Sequence, residues 1–342
     1  MRKILVFVLL FFSIVSWNTR AAAANPQPEK TVLLMWWNVE NLFDPKDDPN
    51  TNDDDFTPEG SMHWTEKKLI LKQMRIRYVL SSIEAHPDYR KYPDILAFAE
   101  VENERVFQGT LSPLKAVRYK TIYYESADPR GIDIALAYNP QTLKKESSKA
   151  YSVPMDGKPT RKIIVAGFSA ARHPFHVILN HWPSRSFDTM WTEPKRLAAA
   201  RVARHILDSL LVRNKNADII VMGDFNDGPK DRSLKEVLGS SDDASMVKAN
   251  GYRLLYNCWS NYDGIGSFSF KNHWQHIDQI LLSCGMLDNK GLFITSNAFQ
   301  CFSLSKMLDY SGNKPYATYH GKTYEGGYSD HLPLLLKANI AE

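Results

Sequence analysis

Carboxylate, amide and imidazole side chains recur in this sequence directly after short apolar runs. They fall in five segments: WNVE at 37–40, AEVEN at 99–103, LNHWPSR at 179–185, GDFND at 223–227 and YSDH at 328–331. A sixth segment, HID at 276–278, places an acid inside an apolar run. Because the ends of neighbouring strands meet at one edge of a sheet, we expect these side chains to converge on a single site.

The residue types fit hydrolysis of a phosphate ester with the help of a hard divalent cation. Mg²⁺ is held by one or two carboxylates, with water and substrate phosphate completing its oxygen shell. Glu40 and Glu100 suit this role. A water must also be deprotonated, and the charge that develops on the phosphoryl oxygens must be stabilised. The side chains suited to these tasks are Asp224, His331, Asn226, His181 and Arg130.

The spacing within two of the segments favours extended structure. Residues two apart on a strand point to the same face, so Asn38 with Glu40, and Asp224 with Asn226, should each offer an amide and a carboxylate to one site. The adjacent acid and histidine of the last segment cannot share a strand face, so a loop must turn both inward. Asp278 lies in an apolar run, where a charge is costly unless it is paired.

Short apolar runs and helical patterns alternate along the chain, which predicts a layered α/β domain. Strands are predicted at 31–37, 95–99, 119–124, 132–138, 162–169, 175–179, 218–222, 267–270, 276–282 and 332–336. Helices are predicted over 65–85 and 193–212, and between the second strand and residue 117; Thr65 is the expected N-cap of the first. Helices interleaved with ten predicted strands imply two packed sheets with covered faces.

The first 24 residues have the pattern of a secretory signal peptide. A basic start precedes an apolar run of 14 residues from Ile4 to Trp17, and small residues follow from Ala21 to Ala24. This run is shorter than the roughly 20 residues that span a bilayer as a helix. We therefore expect a mature chain of residues 25–342 that forms one catalytic domain, has no stable membrane anchor and is periplasmic or secreted.

The charge balance does not choose a substrate. The chain has 42 Lys and Arg against 38 Asp and Glu, and the first 24 residues contribute three of the basic residues and no acidic one. The residues after position 24 are close to neutral overall, so counterion release gives no argument for a nucleic-acid substrate. A local basic groove is still compatible with this net charge. The three cysteines all lie in the last third, where we expect buried thiols rather than a disulfide framework.

The ordered set WNVEN, AEVEN, NHWPSR, GDFND, HIDQILL and SDHLP resembles the endonuclease/exonuclease/phosphatase superfamily, which includes deoxyribonuclease I-like and exonuclease III-like enzymes. The resemblance covers nearly all of the chain after residue 24. It implies an α/β fold, a four-layer α/β/β/α sandwich of two packed mixed β-sheets flanked by helices, with the site at the rim of the paired sheets. It also implies a divalent-metal cofactor, Mg²⁺ or alternatively Mn²⁺ or Ca²⁺.

The resemblance further implies a role for each site residue. The metal-proximal acids are Glu40, Glu100 and Asp330, and Asn38 is an amide at the metal or the phosphate. In the catalytic group, His181 contacts phosphate, Asp224 aligns or activates water, Asn226 stabilises the transition state, and Asp278 polarises His331. Arg130 resembles, more weakly, the family's Arg-Gly segment near phosphate. Arg185 contacts the substrate phosphate or lies in solvent.

Two hypotheses for the substrate stay open. The leading one is an exported nuclease that hydrolyses phosphodiester bonds of DNA or RNA, since arginine and tryptophan residues lie near His181. The alternative is a phosphatase or phosphodiesterase for small-molecule or lipid-headgroup phosphates, which the near-neutral charge favours. A binding module without catalysis is a third reading, but every expected catalytic position is filled. We expect no protein partner and a monomer.

Overall fold

Two β-sheets account for most of the strands. The computed structural model describes residues 30–155, 157, 159–185 and 189–342, so the signal peptide expected at 1–24 lies outside the described residues. The strands are β1 (Thr31–Leu42), β2 (Ile95–Val101), β3 (Lys120–Tyr123), β4 (Asp133–Tyr138), β5 (Leu143–Tyr151), β6 (Ile163–Ala170), β7 (His173–His181), β8 (Asp218–Asp224), β9 (Ser240–Ser241), β10 (Leu255–Asn257), β11 (Phe268–Phe270), β12 (His273–Gln275), β13 (Asp278–Leu282), β14 (Leu292–Phe293), β15 (Phe299–Cys301), β16 (Tyr319–His320), β17 (Thr323–Tyr324) and β18 (Leu334–Ile340).

Helices flank these strands and short turns connect them. The helices are α1 (Glu66–Ala85), α2 (Glu104–Leu111), α3 (Thr189–Arg213) and α4 (Ala244–Asn250). A π-helical turn covers Ser233–Leu238, and 3₁₀ turns cover Asp54–Phe56, Gly251–Arg253, Cys258–Asn261, Cys284–Leu287 and Ser305–Met307. The side chain of Thr65 accepts a hydrogen bond from the Lys68 N–H, so Thr65 caps α1 as the sequence predicted.

Both large sheets are mixed. The first has the order β14-β18-β1-β2-β4-β3, with β15 also paired to β18, and the second has the order β5-β6-β7-β8-β13-β10-β9. Each sheet holds one central parallel pair, β1 with β2 in the first and β7 with β8 in the second. The carboxyl ends of these two pairs carry four of the six polar segments, so the topology itself gathers them.

Side-chain burial shows the order of the layers. On the second sheet, Ile164 and Ile220 pack in the core between the sheets, whereas their neighbours Ile163 and Ile219 pack in a separate core with α3. The first core also contains the apolar stripe of α1, which covers the first sheet. The layers therefore run helix, sheet, sheet, helix, which confirms the predicted sandwich.

The three cysteines are buried, as the sequence predicted. Cys258, Cys284 and Cys301 are free and buried. Within the part of the chain that the structure describes, no helix is both long enough and apolar enough to cross a membrane.

Candidate active site

Strand pairing places three ionisable side chains side by side on the second sheet. His181 at the end of β7 pairs with Asp224 at the end of β8, and Asp224 pairs in turn with Asp278 at the start of β13. Directly opposite residues on adjacent strands point to the same face. The three side chains therefore form a row, and all three are buried.

Asn38 and Glu100 of the first sheet lie across the interface from this row. Asn38 on β1 lies opposite Ala99 on β2, so Glu100 follows immediately beside it. The Asn38 amide donates to Asp224 Oδ2 at 3.1 Å and to Glu100 Oε1 at 3.4 Å. Trp36 Nε1 donates to Asp278 Oδ1 at 2.8 Å and makes a second bridge between the sheets. The site thus lies where the two sheets meet.

Strand β1 is not regularly extended at its polar residues, because its pairing with β2 shifts register between Asn38 and Leu42. Asn38 Oδ1 accepts the Glu40 N–H at 3.0 Å, and Glu40 has a positive φ of 53°. The Glu40 carboxylate consequently accepts the N–H groups of Thr318 and Tyr319, at 2.6 and 3.0 Å. The prediction that Asn38 and Glu40 share a strand face is therefore wrong, because a side chain that bonds its own backbone two residues on closes a turn.

The same turn follows Asp224 on the second sheet. Asp224 Oδ1 accepts the Asn226 N–H at 2.9 Å, and Asn226 has a φ of 51°. The Asn226 amide then donates to the Trp182 carbonyl at 3.0 Å. The shared strand face predicted for Asp224 and Asn226 is wrong for the same reason. Glu100 at the end of β2 also has a positive φ, of 62°, so Glu40, Glu100 and Asn226 all adopt this strained conformation.

His331 is held by Asp278. The distance from His331 Nδ1 to Asp278 Oδ2 is 2.6 Å, and Ser267 Oγ donates to the same oxygen at 2.7 Å. Burial alone would lower the pKa of His331, but the carboxylates of Asp278 and of its other acidic neighbours raise that pKa well above the usual value. The imidazole is therefore positively charged at neutral pH, and its Nε2 lies 4.0 Å from Asp224 Oδ2.

His181 is neutral, unlike the positively charged His331. Its Nε2 lies 3.7 Å from Asp224 Oδ2 and 3.9 Å from Glu100 Oε1. Burial, reinforced by the positive charges of Arg161 and Arg130, lowers the pKa of His181 well below its ordinary value. Its Nδ1 is buried with no hydrogen-bond partner among the described residues. The site therefore pairs a neutral imidazole with a charged one.

The acids of the site are crowded in a way that suits a divalent cation. Burial and repulsion from Asp278 raise the pKa of Asp224 to about 7, and burial and repulsion from Glu40 and Glu100 raise the pKa of Asp330 to about 8. A carboxylate oxygen each of Asp224 and Asp278 and a ring nitrogen of His331 lie within 4.8 Å of one another, and the charged His331 is there a counter-ion rather than a ligand. A hard ion would relieve the repulsion between these carboxylates, and oxygen donors are what Mg²⁺ and Ca²⁺ prefer. The residues therefore fit such an ion.

Two expected phosphate contacts take part in ion pairs. Arg185 donates to the Asn226 carbonyl at 2.7 Å and pairs with Asp227 and Asp231 at 3.1 and 2.5 Å. Its guanidinium therefore supports the turn after β8. Arg130 is half exposed, and its Nε lies 3.6 Å from Asp128 Oδ1.

Two buried cations, Arg161 and Lys72, and two serines, Ser329 and Ser267, lie around the site and were not predicted from the sequence. Arg161 donates to the Trp182 carbonyl at 2.7 Å and to Asp128 Oδ2 at 2.9 Å. Lys72 interrupts the apolar stripe of α1, and this irregularity was a signal that could have found it. Ser329 Oγ donates to the Asn38 carbonyl at 2.7 Å and accepts the His331 N–H at 3.0 Å. Ser267, which bonds Asp278, carried no recognisable pattern.

Comparison with solved structures gives the same fold in proteins of low identity. The human Nocturnin catalytic domain is 17% identical, with a TM-score of 0.55 over 92% of this chain and 96% of that one. D. rerio TDP2, solved with a single strand DNA product, is 14% identical, with a TM-score of 0.57 over 91% and 100%. A Bacteroides thetaiotaomicron mannosyl-6-phosphatase is 14% identical, with a TM-score of 0.54 over 91% and 100%. A search of curated proteins by sequence gave no match.

A family model decides the relationship. The model of the Endonuclease/Exonuclease/phosphatase family matches residues 33–339, which is most of the chain. Enzymes of this family hydrolyse phosphoester bonds and depend on divalent metals, which agrees with the oxygen-rich site between the sheets. The chain therefore belongs to the endonuclease/exonuclease/phosphatase family and is a phosphoester hydrolase.

Proposed function

We propose that this chain is an exported, divalent-metal-dependent nuclease that hydrolyses phosphodiester bonds of DNA or RNA. The observation that carries this proposal is a cleft of about 820 Å³ that Asp330 lines. Lys271 and Lys314 line it, together with Tyr310 and Tyr316. Lysines track a phosphate backbone and exposed aromatic rings stack on bases, so a cleft of this kind fits a single strand.

The roles of the side chains follow from their geometry. His331, charged and oriented by Asp278, supplies a positive donor to the phosphoryl oxygens, and Asn38 and the neutral His181 supply uncharged donors beside it. Asp224, whose pKa is about 7, is a base that can accept a proton from water near neutral pH.

The metal would be held at the open side of this group. Glu100 and Asp330 are partly exposed acids, and Glu100 lies close enough to raise the pKa of the Asp330 carboxyl by repulsion. When bound, a divalent ion would neutralise charge on the phosphoryl group and orient it. We propose Mg²⁺ as the ion, with Mn²⁺ and Ca²⁺ as alternatives.

A second candidate is a phosphatase or phosphodiesterase for small molecules or lipid headgroups. The near-neutral charge favours it, because 39 basic and 38 acidic residues follow position 24. Two acids, Asp309 and Glu325, also line the cleft. A structural neighbour from Bacteroides thetaiotaomicron is a mannosyl-6-phosphatase, so this fold also serves small phosphates.

A substrate panel distinguishes the two candidates. The purified protein is incubated with single-stranded DNA, plasmid, RNA, mannose 6-phosphate, inositol phosphates and sphingomyelin, with Mg²⁺, Mn²⁺, Ca²⁺ or EDTA. We expect metal-dependent cleavage of nucleic acid and none from Asp224→Ala. Absence of cleavage with every metal removes the nuclease, and far faster turnover of a small phosphate reverses the ranking.

Export and oligomeric state are proposals with their own measurements. The apolar run of residues 4–17 and the alanines at 21–24 support removal of the first 24 residues. N-terminal sequencing of protein from the periplasm or medium should begin at Asn25; a cytoplasmic, uncleaved chain would contradict export. Light scattering should give the mass of a monomer.

A further inference from the structure

The side chain of Lys72 is fully enclosed on the inner face of helix α1. It lies between Leu69 and Ile76 in an otherwise apolar stripe. Its Nζ donates to Thr318 Oγ1 and to the Tyr328 carbonyl, at 2.5 and 2.8 Å, and lies 4.0 Å from Glu40 Oε2. An ammonium has three donors and no acceptor, and three oxygens surround it here.

Glu40 is the acid that this ammonium faces. Each of its oxygens already accepts a backbone N–H, from Thr318 and Tyr319, and the residue is only 5% exposed. Glu100 differs, because its side chain is 16% exposed and faces the Asn38 amide and His181. Asp330 differs as well, since it borders the open cleft. An ion arriving from solvent therefore meets Glu100 and Asp330 before it meets Glu40.

We propose that Lys72 is an internal cation that neutralises Glu40 and withdraws it from metal coordination, so that the site binds one divalent ion through Glu100 and Asp330. Lys72 of helix α1 thereby supplies one positive charge to the cluster of acids Glu40, Glu100 and Asp330. A second divalent ion at Glu40 would be repelled by the ammonium, which lies 4.0 Å from that carboxylate. The inference rests on the metal site of the proposed function and not on its substrate.

Metal binding without substrate tests the proposal. Mn²⁺ is titrated into the metal-free full-length protein by calorimetry, and bound Mn²⁺ is counted by paramagnetic resonance. We expect one Mn²⁺ in the wild type, and in Lys72→Met a second bound Mn²⁺ or binding about tenfold tighter. Lys67→Met, which removes an exposed lysine of the same helix, should match the wild type. An unchanged Lys72→Met titration, or two ions in the wild type, would overturn the proposal.

A double variant keeps the test decisive if Lys72→Met does not fold. Glu40→Gln with Lys72→Met removes both charges and leaves neither unpaired. We expect it to bind one Mn²⁺ with an affinity within about threefold of the wild type. A loss of about tenfold or more would show that Glu40 is itself a ligand, and would overturn the proposal. Because no nucleic acid enters the titration, failure of the nuclease assay leaves this result unaffected.

Discussion

Asn38 on the first sheet and Asp224 on the second are joined by a hydrogen bond of 3.1 Å from Nδ2 to Oδ2. The bond crosses the interface at the ends of β1 and β8, where both side chains are buried. Asn38 Oδ1 is simultaneously occupied by the Glu40 N–H, so the orientation of the amide is fixed. This amide is therefore one of two side-chain bridges that join the halves of the site, the other being Trp36 to Asp278.

Replacing this amide should cost activity more than it costs folding. We expect Asn38→Ala to lower kcat by about a hundredfold, because a donor to developing phosphoryl charge is lost. Asn38→Asp should lower it further, since a third carboxylate would then adjoin Asp224 and Glu100. Steady-state rates and thermal unfolding are measured together. A variant with wild-type kcat would contradict the role of Asn38.

Asp278 should control the charge of His331. Asp278→Asn removes a charge attraction and a hydrogen bond that both raise the pKa of His331, so that pKa should fall. The imidazolium would then lose its proton at a lower pH than in the wild type, and kcat at pH 7 should fall by about a hundredfold. Histidine NMR titration and the pH–rate profile measure both effects. Asp242→Asn, at an exposed position, serves as the control, and an unchanged His331 titration would refute the coupling.

Much of the fold could be predicted because local pattern and long-range structure agree there. Four of the six polar segments do lie at the carboxyl ends of strands, and the helix predicted over 65–85 ends where expected, before Pro87. Strand β5 was missed because its sequence, LKKESSKAY, lacks apolar alternation. It is an edge strand with most side chains in solvent, so no core contact had to be encoded. The helix expected to reach 117 ends at Leu111, because Pro113 has no N–H with which to continue the helical hydrogen bonds.

The site was predictable in composition and not in detail. The order of the motifs predicted which residues meet between the sheets, because strand ends converge independently of the conformation of each side chain. The turns at Glu40 and Asn226 were missed because alternation along a strand assumes extended backbone, and a local hydrogen bond overrode it. Lys72 and Arg161 act through partners far away in the sequence, which spacing cannot reveal.

The N-cap of helix α1 gives a prediction about stability alone. Thr65 accepts the Lys68 N–H at the start of the helix, far from the reacting groups in sequence. Thr65→Ala should lower the free energy of unfolding by about 1 kcal/mol, because one N–H at the helix terminus loses its partner. Thr65→Ser keeps the hydroxyl and should stay close to the wild type. Urea denaturation measures both; equal losses in the two variants would argue against capping.

Metal affinity should depend on pH through Asp330. Its pKa is raised to about 8, so below pH 8 a proton competes with the cation. The apparent affinity for Mn²⁺ should therefore rise with pH up to about 8 and then level off, with a loss of up to about tenfold for each pH unit below. Calorimetric titrations between pH 6 and pH 9 measure this. Asp330→Asn should bind more weakly and without this dependence, and a steep slope in that variant would assign the proton to another group.

The buried pair of Arg161 and Asp128 should behave as a unit that positions the His181 segment. Arg161 is 5% exposed, bonds Asp128 Oδ2 at 2.9 Å and holds the Trp182 carbonyl at 2.7 Å. Arg161→Met leaves Asp128 enclosed with the half-exposed Arg130, 3.6 Å away, as its remaining cation, so we expect a loss of about 3 kcal/mol in the free energy of unfolding. Adding Asp128→Asn removes the weakly paired charge and should recover a large part of that loss.

The same double-mutant cycle separates stability from positioning. The double variant, Arg161→Met with Asp128→Asn, still lacks the donor to the Trp182 carbonyl. It also lacks the positive charge that lowers the pKa of His181, so its activity should stay low after folding is restored. NMR titration should find the His181 pKa nearer its usual value in that variant. Lys145→Met, on the exposed edge strand β5, should leave both unfolding and His181 unchanged. Additive unfolding energies for the two single variants would show that Arg161 and Asp128 are independent, because coupled neighbours depart from additivity.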